Sequence, residues 1–272
     1  MKLKIILTYL VTIFFVFYCK GNSQSYDFLN SNPMFNPAVS KSINESSHFD
    51  NPAALKGIER TALGVSASTA KFGIPELSRL SLFFASPVSN DFHFGTLIKS
   101  RGYNLFNSSQ LTLCTSYSFK DFISLGASAD LVYSRIKDFG SSFDVYFNSG
   151  ALIQFSPYLS AGFVLKNISG KKDITDIETI RVFSSGFCIK PDTNLYVYGY
   201  YNLTISKFGN AGAEVYYSPI KSLGICLGAE SNPAAIYAGF AFDISNSLNI
   251  SFLFYYHNTL GLDAAPEILY HF

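Results

Sequence analysis

The sequence predicts an all-β fold, a transmembrane up-and-down antiparallel β-barrel of about fourteen strands, and three observations carry that reading. Charged residues make up only 14% of the chain and aromatics 17%, all of them Tyr or Phe, whereas a water-soluble domain carries about a quarter charged residues. No apolar run after residue 23 is long enough for a membrane helix. From Thr61 onward, polar and apolar residues alternate in segments of about ten, the length a tilted strand needs to cross a bilayer. Backbone groups in lipid must be paired internally, so strands of this kind require a closed barrel.

The chain opens with Lys2 and Lys4 ahead of an apolar run from Ile5 to Tyr18, the pattern of a secretory signal peptide. Small residues at Gly21 and Ser23 place cleavage after Ser23, with Gln24 starting the mature chain. Cys19 follows the bulky Val16, Phe17 and Tyr18, where a lipoprotein signal needs a small residue directly ahead of its cysteine. Three of the 20 basic residues (Lys2, Lys4 and Lys20) lie in residues 1–23, which leaves 17 against 19 acidic ones, a net charge of −2. That balance gives no basis for nucleic-acid binding. Cys114, Cys188 and Cys226 are odd in number, widely spaced and without CxxC, and read as small apolar strand residues; a disulfide stays open.

Residues 24–60 are polar, turn-rich and without alternation. The strands then follow at 61–68, 78–86, 92–100, 109–119, 122–137, 142–155, 158–167, 178–189, 194–206, 211–218, 222–230, 235–242, 248–257 and 266–272. Successive side chains point to opposite faces. In the fifth strand Ile123, Leu125, Ala127, Ala129, Leu131 and Tyr133 therefore share one face, and Ser124, Gly126, Ser128, Asp130 and Ser134 the other. The eleventh sends Leu223, Ile225, Leu227 and Ala229 outward, and the thirteenth groups Leu248, Ile250, Phe252, Phe254 and Tyr256. In the ninth, Tyr196, Tyr198, Tyr200 and Asn202 are assigned to the lumen. Even-numbered connections, such as Lys120-Asp121 and Ser156-Pro157, are short and hold turn residues. Odd ones tend to be longer (69–77, 101–108, 168–177 and 258–265), as expected of a barrel with short periplasmic turns and longer outer loops. The chain ends on Phe272, with Tyr270 and Ile268 on the same face, which resembles the signal read by barrel assembly machinery.

Two Asn-Pro-Ala triplets, Asn36-Pro37-Ala38 and Asn51-Pro52-Ala53, precede the first strand, and the second runs on into Ala54-Leu55. Together with ERTALGVSAS (59–68), FGIPELSRLSLFFASPV (72–88) and YYHNTLGLD (255–263), this resembles the outer-membrane long-chain fatty-acid transporter (FadL-like) superfamily. The likeness is nearest to the PorV/PorQ-like barrels associated with type IX secretion. The resemblance implies a fourteen-stranded barrel with residues 24–60 folded inside as a plug or hatch. It also implies either passage of hydrophobic molecules or a scaffold role in secretion. The chain departs from the transporter pattern in its compact loops.

No GxSxG, HExxH, Walker or dinucleotide motif is present, so no catalytic residues, cofactor or metal are expected. His257, near the last loop, is the nearest thing to a catalytic candidate, and without a partner it reads as a rim histidine. Lys99, Arg101, Arg135, Lys137, Lys166, Lys171 and Lys172 gather at outer strand ends, where they meet solvent or lipopolysaccharide phosphates. Asp130 and Asp144, charges within strands, must face the lumen and are expected to tether the plug or shape a passage. The expected location is a bacterial outer membrane. The expected partners are its lipid and lipopolysaccharide, the assembly machinery, and either hydrophobic small molecules or secretion proteins. A small-molecule transporter needs a continuous apolar lining; a secretion scaffold predicts a blocked lumen; a barrel enzyme is a distant third.

Overall fold

The structure, a computed structural model, describes residues 36–39, 41–68, 73–168, 181–204, 209–232 and 234–272. The expected signal peptide with its cleavage point, and Lys171 and Lys172, lie outside these residues. Fourteen antiparallel strands form one closed barrel in chain order. They are β1 (Ala62–Ser68), β2 (Arg79–Pro87), β3 (Phe92–Gly102), β4 (Phe106–Phe119), β5 (Ile123–Ile136), β6 (Gly140–Ser156) and β7 (Leu159–Lys166). After them come β8 (Val182–Asp192), β9 (Leu195–Thr204), β10 (Asn210–Ile220), β11 (Leu223–Ser231), β12 (Ala234–Asp243), β13 (Leu248–His257) and β14 (Gly261–His271). The ring closes where β1 pairs with β14, Leu63 opposite Tyr270 and Val65 opposite Ile268.

The period of two sorts every strand. On β5, Ser124 and Ser128 are buried while Leu125, Ala127 and Tyr133 are exposed; on β11, Cys226 is buried and Leu227 exposed; on β13, Ser251, Leu253 and Tyr255 are buried and Phe252, Phe254 and Tyr256 exposed. Exposed apolar side chains are thus the lipid-facing set, as a membrane barrel requires. Lys120 and Asp121 both take positive φ (48° and 57°), the left-handed pair that a tight hairpin turn between β4 and β5 demands.

Several strand ends differ from the sequence-based expectation, among them the start of β4, at Phe106 and not 109. β8 ends at Asp192, not 189. β14 starts at Gly261, not Pro266, so the connection after β13 is 258–260 instead of a loop over 258–265. Proline suggested a strand start because it cannot donate to a ladder. Pro266 instead sits within β14 opposite Phe252, at the point where pairing with β1 has stopped at Glu267, and its missing N–H leaves no partner waiting.

The wall is uneven in height. The β4–β5 and β5–β6 ladders run from Phe119↔Ile123 to Phe106↔Ile136 and from Ile123↔Ile153 to Ile136↔Gly140, but β6 pairs with β7 only from Ser149 to Ser156. The β4–β6 panel therefore rises above its neighbour on the side of the outer loops.

The described residues of 36–58 form no strand. They contain two 3₁₀ turns, Glu45–Asp50 and Pro52–Gly57, and pack against the inward faces of the wall. Phe49, Leu55 and Ile58 join Phe83, Leu97, Cys114 and Leu269 in one buried cluster; Ala38 and Ile43 join Tyr198, Tyr216, Tyr237 and Leu253 in another.

Candidate functional site

The two Asn-Pro-Ala triplets fold alike. In each, the asparagine Oδ1 accepts the N–H of the alanine two residues on, at 3.0 Å for Asn36 with Ala38 and 3.0 Å for Asn51 with Ala53. This is the local turn that asparagine side chains favour, with proline presetting the backbone between. Asn51 also caps the turn Pro52–Gly57, and its Nδ2 donates to the Pro37 carbonyl, so one triplet is bonded to the other. The same Nδ2 reaches the Ala151 carbonyl on β6 at 3.5 Å. Asn51, Pro52 and Ala53 are fully buried.

Glycines on the wall face these triplets. A Cβ on Gly126 would lie 2.3 Å from the Ala53 nitrogen, one on Gly150 2.0 Å from Asn51 Oδ1, and one on Gly162 2.0 Å from the Pro37 carbonyl oxygen. Gly126 lies directly opposite Gly150 across β5 and β6, and Gly162 opposite Gly186 across β7 and β8. Four neighbouring strands thus present a side-chain-free track, and the segment's backbone rests on it. Glycine here permits close approach of two backbones.

Polar clasps fix the segment elsewhere. Glu267 on β14 accepts the Glu45 N–H at 2.8 Å and the Ser46 hydroxyl at 2.6 Å. The Tyr198 hydroxyl donates to the Lys41 carbonyl at 2.7 Å and accepts the Lys41 N–H at 3.1 Å. Ser124 donates to the Ala53 carbonyl at 3.1 Å, Ser251 to Asn44 Oδ1 at 2.8 Å, and Lys166 pairs with Asp50 at 3.3 Å. Within the segment, burial draws the Lys56 ammonium below its ordinary pKa, against the opposing pull of the Asp121 carboxylate.

The residues singled out from sequence are distributed around this arrangement. Tyr196, Tyr198 and Tyr200 follow one another on the inward face of β9, the first two stacked at 6.4 Å, and among the described residues Tyr198 is the one bonded to the segment. Asp130 faces inward and accepts from Thr112 at 2.6 Å and Asn148 at 2.8 Å, both on the wall, and among the described residues the segment is bonded to Glu267, Tyr198 and Lys166. Asp144 lies higher on β6, opposite Val132. Ile268, Tyr270 and Phe272 all point outward, and the Phe272 N–H donates to Thr61 at 2.9 Å. His257 Nδ1 accepts the N–H groups of Thr259 and Leu260, closing the last hairpin. Cys114, Cys188 and Cys226 are buried free thiols on separate strands.

A cluster not anticipated from the sequence occupies the inward faces of β9 to β13. Tyr200 donates to Glu230 at 2.8 Å, Tyr237 to Glu214 at 3.2 Å, and Tyr255 to Glu230 at 3.4 Å, with Asn210 also reaching Glu230. The available signal was an acid in each of two otherwise apolar or small-residue strands. Across the barrel, Arg79, Lys99, Arg101 and Lys166 face inward from β2, β3 and β7. The outer half of the inner wall therefore carries charged and polar groups, with Phe106, Val132, Ile136 and Tyr146 among them on the inward faces of β4 to β6, and the tyrosines, Leu253, Leu152 and Leu97 line the deeper layer.

No protein-family model matches the chain, and no curated protein matches it in sequence. Solved structures do match in fold. A FadL homologue of Pseudomonas aeruginosa aligns at 12% identity over 87% of this chain and 96% of its own, with a TM-score of 0.60. The Ralstonia pickettii toluene transporter TbuX aligns at 12% identity over 83% and 93%, with a TM-score of 0.65. The monoaromatic hydrocarbon channel CymD aligns at 10% identity over 88% and 97%, with a TM-score of 0.63. The fold is thus the closed fourteen-stranded barrel of these FadL-type proteins.

Proposed function

We propose that the chain is an outer-membrane channel for small hydrophobic molecules, with residues 36–58 as a plug that closes it at rest. The observation that carries this reading is the mode of docking. The segment lies on a glycine track and is held by separate hydrogen bonds and the Lys166–Asp50 ion pair, with no disulfide among the described residues. Each wall strand is paired on both sides without it, so the segment can move while the barrel stays closed. Transport of toluene by TbuX and of monoaromatic hydrocarbons by CymD supports the solute class.

The test is uptake of a small aromatic hydrophobe by intact cells with and without the chain, in an outer membrane that otherwise slows such molecules. Faster uptake with the chain is expected; equal uptake removes the transport reading. A second reading, a non-transporting component of a type IX-like secretion system, is favoured by one observation: among the described residues, Glu230, Lys99, Arg101 and Lys166 put charge on the inner wall along the path that hydrophobic passage would use. Secretion proteins copurifying with a barrel that gives no uptake would establish it.

A further inference from the structure

The cations that gather at outer strand ends in the sequence are divided by the structure into two groups. Lys99, Arg101 and Lys166 point into the lumen, whereas Arg135 and Lys137 are exposed at the top of the tall β4–β6 panel. Arg135 lies on the outward face of β5, in phase with Leu125, Ala127 and Tyr133 below it. Among the described residues neither Arg135 nor Lys137 forms an ion pair.

Their height follows from strand geometry. From Ile123 to Tyr133 the outward face of β5 is apolar, ten residue steps in all. At roughly 3.3 Å per step and a tilt of about 40°, that stretch rises about 25 Å, the height of the apolar band of an outer-membrane barrel. Tyr133 then stands at the outer interface, directly opposite Phe143 on β6 and Ser109 on β4. Arg135 comes one outward position higher, and Lys137 follows in the turn.

The neighbouring hairpin completes the patch. The Lys137 N–H donates to the Leu105 carbonyl at 2.8 Å, which joins the β5–β6 turn to the β3–β4 turn. Tyr103, Leu105, Phe139 and Phe143 are all exposed there. Asp138, with φ of 66°, is the acidic neighbour within the turn. Tyr133 and Phe143 thus lie at the level of acyl chains and the two cations at the level of phosphates, with Tyr103, Leu105 and Phe139 beside the cations in the turns.

We propose that Arg135 and Lys137, above Tyr133 and Phe143, form a binding site for a phosphorylated glycolipid of the outer leaflet. Arg and Lys pair with phosphate by charge-assisted hydrogen bonds, and the aromatic rings below pack on the lipid's chains. This site lies on the outer face of the wall and does not depend on what the lumen passes.

The full-length protein, extracted from outer membranes in mild detergent, tests it. Phosphorylated glycolipid retained per barrel is measured by lipid mass spectrometry for wild type, for R135E/K137E and for K120E/K221E, which reverses two exposed cations at the opposite end. Wild type and K120E/K221E are expected to retain lipid, and R135E/K137E about tenfold less, as expected when both charge-assisted contacts are lost. Should R135E/K137E fail to assemble, R135Q/K137Q takes its place with the same expectation. Equal retention in all three proteins, or no glycolipid on wild type, overturns the proposal. So does a wild-type dimer carrying no lipid that the reversal dissociates, since the face would then be a contact between copies.

Discussion

Replacing Gly126 with alanine tests the docking of the N-terminal segment most directly. The new Cβ would stand 2.3 Å from both the Ala53 nitrogen and the Pro52 carbonyl carbon, and 2.7 Å from Pro52 Cβ. Two of these are backbone atoms that no rotamer change can move. On the wall side, Gly126 is paired with Ser116 on β4 and Gly150 on β6, so the strand cannot withdraw. The segment must therefore lift by about 1 Å, at an overpacking cost of roughly 1–3 kcal/mol. The 3.1 Å bond from Ser124 to the Ala53 carbonyl stretches with it, costing about 1 kcal/mol more. A loss of roughly 2–4 kcal/mol raises the undocked population by about 30- to 1,000-fold, at tenfold per 1.4 kcal/mol. Hydrogen exchange reads this at the Ala53, Ala54 and Ile58 amides, which are bonded within the segment. Their exchange should accelerate while the strand amides stay protected and the barrel keeps its heat-modifiable gel migration. Gly199→Ala is the control, because its Cβ would meet the outward Phe187 ring at 2.5 Å and not the segment. Unchanged exchange at those amides in a folded Gly126→Ala protein would refute the close approach on which the proposed plug rests.

Two further outcomes are expected. Glu267→Ala strands the Glu45 N–H and the Ser46 hydroxyl, each now bonded to that carboxylate at 2.8 and 2.6 Å; an unsatisfied buried donor costs about 1–3 kcal/mol. Limited proteolysis at 45–50 should quicken, and a rate equal to wild type would show that Glu267 does not hold the segment. Deleting Phe272, which is exposed and set edge-on to Tyr270 at 5.0 Å, should lower the amount of chain in the outer membrane if the terminal aromatic is read during assembly. Normal membrane levels of the truncated chain would rule that role out.

Strand number and facing were legible because a period of two leaves its mark on the sequence whatever the partner: Leu125 and Leu227 had to face lipid once Ser124 and Cys226 faced in. What the period does not carry is register. Gly126, Gly150, Gly162 and Gly186 look in sequence like any small lumen residues, and they become a track only because pairing sets Gly126 opposite Gly150 and Gly162 opposite Gly186. The tethers failed to show for a related reason. Asp130 and Glu267 are both acids on inward faces, but which of them meets the segment depends on where the two turns lie across the barrel. Asp130 is taken up by Thr112 and Asn148 on its own wall, and Glu267 reaches the turn Glu45–Asp50. Pro266 misled because its tolerance depends on where β1 stops.

The same division between wall and segment shapes how the barrel can work. A strand in this wall gains its hydrogen bonds from two neighbours, and the ring closes through Leu63↔Tyr270 and Val65↔Ile268 with no help from residues 36–58. Removing the segment therefore forfeits only its own contacts, and those are spread over many positions: Tyr198 on β9, Lys166 on β7, Ser124 on β5, Glu267 on β14 and Ser251 on β13. No single clasp dominates, and loss of one leaves the segment seated on the glycines. A wall change that acts on the track itself works differently, because it raises the energy of the docked state along the whole line of backbone contact. Gly126→Ala should then loosen the segment at Ala53 and Ala54 first, nearest the new methyl, and the turn Glu45–Asp50 less. Glu267→Ala should do the reverse.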